Sequence, residues 1–220
     1  MAFKFLRTNF NGDPNIGMYG FATDKYCFLG ANVQQSLLQR VRETLKTEIV
    51  SSTVSGTELT GLFAMGNSNG IILSKIIEDY EVRKLKENGL NLKVINSNET
   101  ALGNLILCND KGCLISSSLK KFQKEISDVL GCEVEIGKIA NLDIVGSCGI
   151  ASNIGCLCHR EAREKELKKI EEILKVKVDV GSVTYGTPYV RSGIIVNSNG
   201  VLVSDPTTGA EIGRIGEVFE

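Results

Sequence analysis

Leu62-Phe-Ala-Met-Gly-Asn67-Ser-Asn-Gly70-Ile-Ile-Leu73 is a short polar turn between two apolar runs, and it recurs. The same turn is read at Thr23-Asp-Lys-Tyr26, Asn109-Asp-Lys-Gly112, Ser152-Asn-Ile-Gly155 and Asn197-Ser-Asn-Gly200, with spacings of 44, 42, 43 and 45 residues. A near-constant period of this size marks one supersecondary unit used five times. Asn at the start and Gly at the end suit a hairpin, because both tolerate positive φ.

Working outward from the turn, each unit reads alike. A first strand precedes it, as in Leu62-Phe-Ala-Met65 and Leu105-Ile-Leu-Cys108. A second follows, as in Ile71-Ile-Leu73, Cys113-Leu-Ile115, Cys156-Leu-Cys158 and Val201-Leu-Val203. Both are continuous apolar runs, which predicts burial on both faces or under a helix. A helix comes next. In the fourth unit it is expected over residues 161–175, with Leu167, Ile170, Ile173 and Leu174 as its apolar stripe. The third unit's helix is expected over 119–130, with Ser116 to Ser118 as cap candidates and Gly131 as its stop. The first is expected over 33–45, the second ends at Asn88-Gly89, and the fifth spans about 209–219. A last strand closes each unit, at 92–95, 134–136 and 178–180.

The fifth unit lacks that last strand, whereas the N-terminus has a spare one, Phe3-Lys-Phe-Leu-Arg7. A closed ring in which this strand completes the fifth unit reconciles the two. An open solenoid would need polar, atypical ends, and neither end reads that way. The expected fold is therefore α/β: five strand-strand-helix-strand repeats in a closed ring, one domain spanning 1–220.

Bulk properties agree with a globular chain. At 220 residues it buries roughly 70–75% of its unfolded surface. No apolar run approaches the roughly 18 residues of a membrane span, and the first ten residues lack a signal-peptide core, so the cytoplasm is expected. A net charge of −1 argues against wholesale phosphate binding.

The chemically suggestive residues fall back into the repeat. Cys27, Cys113 and Cys156 share one position, held by Ile71 and Val201 in the other units. Cys108, Cys148 and Cys158 likewise occupy mostly apolar positions, and only Cys132 lies outside the frame. Buried, hydrophobe-like cysteines are expected. Cys156-Leu-Cys158-His159 has no second pair at zinc spacing, so no metal is expected. Adjacent strand residues face opposite ways, so Cys158 and His159 are not a nucleophile and base for each other. His159, the single histidine, reads as a solvated strand-edge residue. Gly66 to Gly70 lacks the Lys and helix of a phosphate loop. Asn104 stands out: it holds a position that is Met18, Leu62, Ser147 and Ser192 elsewhere. If buried, its amide would need partners, which the backbone could supply.

Thr100-Ala-Leu-Gly-Asn104 with Cys108-Asn-Asp110 resembles a hallmark stretch of the translation initiation factor six family. So do Gly61 with Asn67-x-x-Gly70, Val145-Gly-Ser147, and Asp205-x-Thr-Thr208. The resemblance is colinear over the whole chain. It implies the pentein fold, five quasi-equivalent units about a pseudo-fivefold axis. It also implies a ribosome anti-association factor without catalytic activity or cofactor. The implied partner is the large ribosomal subunit, mainly a ribosomal protein of the intersubunit face near the sarcin–ricin loop, with limited rRNA contact. The bound factor would prevent premature joining of the small subunit and take part in large-subunit maturation. The contact surface is implied to lie on one face, near strand starts and turns. Carried over by position, it comprises Asn104, Asn109 and Asp110, then Gly61, Leu62 and Asn67. The stop at Glu220 differs from eukaryotic members with an extended phosphorylatable tail, which suggests an archaeal-type member, expected as a monomer. Tyr26 replaces the turn glycine, and Arg191 stands where units two to four carry Gly. The alternative is a pentein-type amidine hydrolase or amidinotransferase, which needs a Cys and a His converging at the centre.

Overall fold

Each of the five turns closes an antiparallel hairpin, and a parallel strand adds to the hairpin's second strand. The computed structural model describes residues 3–30 and 33–220. β1 (Lys4–Thr8) opens the chain. In unit one, β2 (Gly20–Ala22) and β3 (Tyr26–Gly30) form the hairpin; α1 (Gln35–Leu45) then leads to β4 (Glu48–Ser52) beside β3. Unit two has α2 (Thr60–Phe63), β5 (Ala64–Asn67), β6 (Gly70–Ser74), α3 (Asp79–Glu87) and β7 (Leu92–Ile95). Unit three has β8 (Ile106–Cys108), β9 (Gly112–Ile115), α4 (Gln123–Leu130) and β10 (Glu133–Ile136). Unit four has α5 (Val145–Cys148), β11 (Gly149–Ala151), β12 (Gly155–His159), α6 (Glu164–Leu174) and β13 (Lys177–Gly181). Unit five has β14 (Ile194–Val196), β15 (Gly200–Ser204) and α7 (Gly209–Phe219).

The strand that unit five lacks comes from the N-terminus. β1 pairs parallel with β15, Lys4 opposite Gly200 through Thr8 opposite Ser204. The Arg7 guanidinium ties this seam further by donating to the carbonyls of Asp205 and Thr207.

The central strands are buried at every residue, as their apolar runs predict. Four of the five lie beneath a helix of the following unit: α4 on β6, α6 on β9, α7 on β12 and α1 on β15. The first strands touch in succession, β2 with β5, β5 with β8, β8 with β11 and β11 with β14; β14 in turn touches β2. The core is thus built between units as much as within them.

Several local expectations shift. First strands begin one or two residues later than expected, because a single helical turn precedes each: residues 16–18, α2, 102–104, α5 and 190–193. Leu62 and Phe63 belong to that turn, not to the strand. The third helix begins as a 3-10 segment at Ser117–Phe122, capped by Ser116 Oγ, which accepts from the Ser118 N–H. Gly131 ends α4 with φ +62, as expected of a stop.

The turn glycines have a different reason from the one expected. None of Gly70, Gly112, Gly155 and Gly200 adopts positive φ. They are small because the next unit's helix end sits on them: a Cβ at Gly112 would lie 2.0 Å from the Ile173 carbonyl oxygen. Positive φ occurs instead in a second set of tight turns, at Asn11-Gly12, Ser55-Gly56, Ala140-Asn141 and Thr184-Tyr185-Gly186. These join isolated bridges such as Phe10 to Asp13 and Val54 to Thr57, and the hydrophobic pattern does not signal them.

Candidate interaction site

The helical turns before the first strands converge on one pocket of about 270 Å³, to which every unit contributes. Unit one supplies Gly17 and Met18, unit two Gly61 and Leu62, unit three Asn104, unit four Ile144 and Ser147, and unit five Tyr189, Arg191 and Ser192. Glycine makes this convergence possible. A Cβ on Gly103 would lie 1.9 Å from the Gly61 carbonyl oxygen, and one on Gly146 would lie 2.1 Å from that of Gly103. Each unit's turn is packed directly on the main chain of the one before. Gly17 in turn abuts the Arg191 carbonyl oxygen.

Arg191 is the exception among these five positions, and its side chain turns inward. It is 4% exposed. Its Nη2 donates to the Gly61 carbonyl at 2.8 Å, and its Nη1 approaches Met65 Sδ at 2.8 Å. Burial pushes its pKa down to about 10, so it remains charged at neutral pH. Around it, the Asn104 side chain is partly exposed and makes no hydrogen bond among the described residues. The backbone partners that a buried amide would require are not used there, because the group faces the pocket.

The opposite ends of the first strands carry the hairpin turns, and these form a polar chain of their own. The Asn67 side-chain amide donates to the carbonyls of Asn109 and Leu130, at 3.1 and 2.8 Å. Asn109 repeats this with Ser152 and Leu174, and Asn197 with Thr23 and Leu45. Each Oδ1 meanwhile accepts two N–H groups of its own turn, as Asn109 does from Lys111 and Gly112. Units one and four lack the amide, having Thr23 and Ser152. In unit one the Tyr26 hydroxyl donates to the Asn67 carbonyl at 2.7 Å, so the residue that departs from the pattern supplies that unit's link to the next. Asp110 accepts from the Ser68 N–H and from Asn153 Nδ2, which also reaches Asp24.

The six residues singled out from the sequence therefore do not share a face. Gly61, Leu62 and Asn104 line the pocket at the strand starts. Asn67, Asn109 and Asp110 belong to the turns at the far ends of those strands. A first strand of three or four residues separates the two groups by roughly 10 Å. Asn67 and Asn109 are 2% and 5% exposed, with their amides used inside the chain. Their geometry assigns them to holding unit to unit; Asp110 is half-buried within the same chain of bonds.

His159 is also corrected. It is buried at the end of β12, not solvated. Its Nδ1 accepts the Glu161 N–H at 3.1 Å, and its ring packs edge-on against Tyr189. Burial pushes its pKa down. Six cysteines are buried as expected, and Cys132 is intermediate. Burial raises the thiols of Cys27, Cys132 and Cys148 to about 12, which disarms them as nucleophiles. Among the described residues, no three His, Cys, Asp or Glu side chains are placed to hold a metal ion, and no helix is long and apolar enough to cross a membrane.

All five units thus contribute to one pocket, and burial raises the thiols of Cys27, Cys132 and Cys148. Comparison with known proteins agrees with the resemblance drawn from the motifs. The family model described as the eIF-6 family matches residues 5–218. Translation initiation factor 6 of Pyrococcus horikoshii is 41% identical over 220 residues, covering 97% of each chain. That of Methanocaldococcus jannaschii is 41% identical over 214 residues, covering 94% of each. That of Saccharolobus islandicus is 40% identical over 213 residues, covering 95% of this chain and 96% of its own. With the match spanning nearly every residue of all five units, this chain belongs to the eIF-6 family of translation initiation factors.

Proposed function

We propose that this protein binds the intersubunit face of the large ribosomal subunit and, by occupying it, keeps the small subunit from joining. The observation that carries this reading is the pocket end of the molecule. Five units present closely packed main chain there, while Leu62 and the uncommitted Asn104 amide remain for a partner. We assign Gly61, Leu62 and Asn104 to that contact. Gly61 lets the neighbouring turns pack closely and so shapes the surface, Leu62 offers apolar area, and Asn104 offers hydrogen bonds. Asp110 at the turn end is a secondary candidate. A net charge of −1 favours a ribosomal protein near the sarcin–ricin loop over extensive rRNA. The mechanism is steric and needs no cofactor. Cytoplasmic location, a monomeric state and a part in large-subunit maturation belong to the same reading.

We also infer a single domain over 1–220 in which the five sheets form a closed ring with pseudo-fivefold symmetry, the pentein fold. The succession of first-strand contacts, returning from β14 to β2, supports it, as does the β1–β15 pairing. No observation favours the amidine-hydrolase alternative: the partners of His159 are Glu161 and Tyr189, and burial raises the thiols of Cys27, Cys132 and Cys148 to about 12.

The test is sucrose-gradient sedimentation with purified archaeal large and small subunits at two salt concentrations. Co-migration with the large subunit alone, fewer joined ribosomes and a weak salt dependence are expected. Protein left at the top of the gradient would overturn the reading. Asn104→Ser should weaken co-migration without altering thermal stability; unchanged affinity would remove Asn104 from the contact.

A further inference from the structure

We propose that the shared pocket is a carboxylate site, with Arg191 as its cationic anchor. It goes beyond the ribosomal reading and does not rest on it. The starting observation is a buried charge without a counter-charge. Arg191 is 4% exposed, and its partners are a carbonyl oxygen and a thioether sulfur, both neutral. No Asp or Glu forms an ion pair with it among the described residues. A guanidinium carries five N–H donors in a rigid fork, and these two contacts account for two of them. A buried charge lacking its partner is costly, and a planar carboxylate is the group that matches the fork with two parallel hydrogen bonds.

The pocket that Arg191 lines suits such a group. Its volume of about 270 Å³ lies just under the range for drug-sized ligands, so it fits a ligand the size of a side chain. Met18, Leu62, Ile144 and Tyr189 give it apolar walls for a short hydrocarbon stem. Asn104 and Ser147 add polar groups that form no side-chain hydrogen bond within the described residues. One cation among apolar walls favours a singly charged carboxylate over a phosphate, whose second charge would find no partner. The carboxylate could arrive on a free short-chain acid or at the C-terminus of a partner polypeptide.

The first experiment follows the arginine Nε–Hε resonances of the intact protein by NMR while butyrate or butyramide is added. The Arg191 resonance is assigned from the spectrum of Arg191→Lys. Butyrate should shift it along a saturable curve, and the neutral isostere should not. In Arg191→Met, calorimetric titration with butyrate should show binding weakened roughly tenfold or more. An equal response to butyramide, a non-saturating response, or unchanged affinity in Arg191→Met would overturn the proposal. The wild-type titration stands even if the Met variant fails to fold. A second arm compares acetyl-Ala-Ala-Leu with a free and with an amidated C-terminus. Tighter binding of the free form than of butyrate identifies a polypeptide terminus as the source. Binding of butyrate alone identifies a free acid. Since no ribosome enters these assays, a failed sedimentation experiment leaves their outcome intact.

Discussion

Gly103 and Gly213 are the same residue type under opposite constraints. A side chain on Gly103 would meet the Gly61 main chain, where a Cβ has only 1.9 Å, and backbone cannot move aside as a flexible side chain can. Gly103→Ala should therefore destabilise by on the order of 3 kcal/mol. Gly213 sits on the exposed face of α7 with nothing within 4 Å of an added Cβ, and alanine lowers the entropy lost on forming the helix. Gly213→Ala should stabilise by roughly 0.5–1 kcal/mol. Urea denaturation of both variants checks the contrast, and a similar midpoint shift in both would refute it. The two asparagines marked from the sequence separate in the same way. Asn109→Ala strands two carbonyls and two N–H groups and should cost about 2–4 kcal/mol. Asn104→Ser strands nothing and should leave the melt unchanged. If both lower Tm alike, the structural role assigned to Asn109 alone is wrong.

At the scale of the element, a glutamate in the first turn of three helices reaches back to the tight turn that enters its own unit. Glu81 of α3 accepts from the Ser55, Gly56 and Glu78 N–H groups and from the Thr53 hydroxyl. Glu211 of α7 accepts from the Gly186 and Thr208 N–H groups and from the Ser182 and Thr208 hydroxyls. Glu166 of α6 does the same for the Asn141 and Arg163 N–H groups. Burial alone would raise Glu81 and Glu211, but the converging donors hold both below the usual glutamate range. A lowered folded-state pKa means stability that is present above the unfolded value and lost as pH falls through the folded one. Thermal melts should thus show Tm falling as pH drops below about 4.3. Glu211→Gln should be less stable at pH 7 and lose less on acidification. Parallel pH profiles for the two proteins would rule out the clamp. The capping-box spacing of Thr208 and Glu211 is legible in the sequence; the grip on a turn some 25 residues earlier is not, because it joins elements whose meeting depends on how the chain packs.

For the whole molecule, the decisive contact is between its two ends. β1 supplies the strand that unit five lacks, buries Leu6, and brings Arg7 to the carbonyls of Asp205 and Thr207. Leu6 alone contributes about 2 kcal/mol by burial, before the lost strand ladder is counted. Deleting residues 1–8 should lower Tm by roughly 10 °C or more. A melting temperature within a degree or two of the intact chain would count against a closed ring.

The 42- to 45-residue period, the hairpin positions, the burial of six cysteines and the pairing of the N-terminal strand with unit five were legible in the amino-acid sequence. The first three follow from patterns local to one unit, counted five times, and the last from matching a missing strand to a spare one. The other contacts between units were decided by tertiary structure alone. The turn glycines are small because a neighbouring helix lands on them, not because of their φ angles. Arg191 turns inward onto the Gly61 carbonyl and Met65 Sδ of another unit, contacts that no pattern within its own unit specifies. The six marked residues divide between two ends because a strand runs between turn and pocket. Periodicity specifies which face of an element is apolar, whereas the rotation of one unit against the next determines which residues meet.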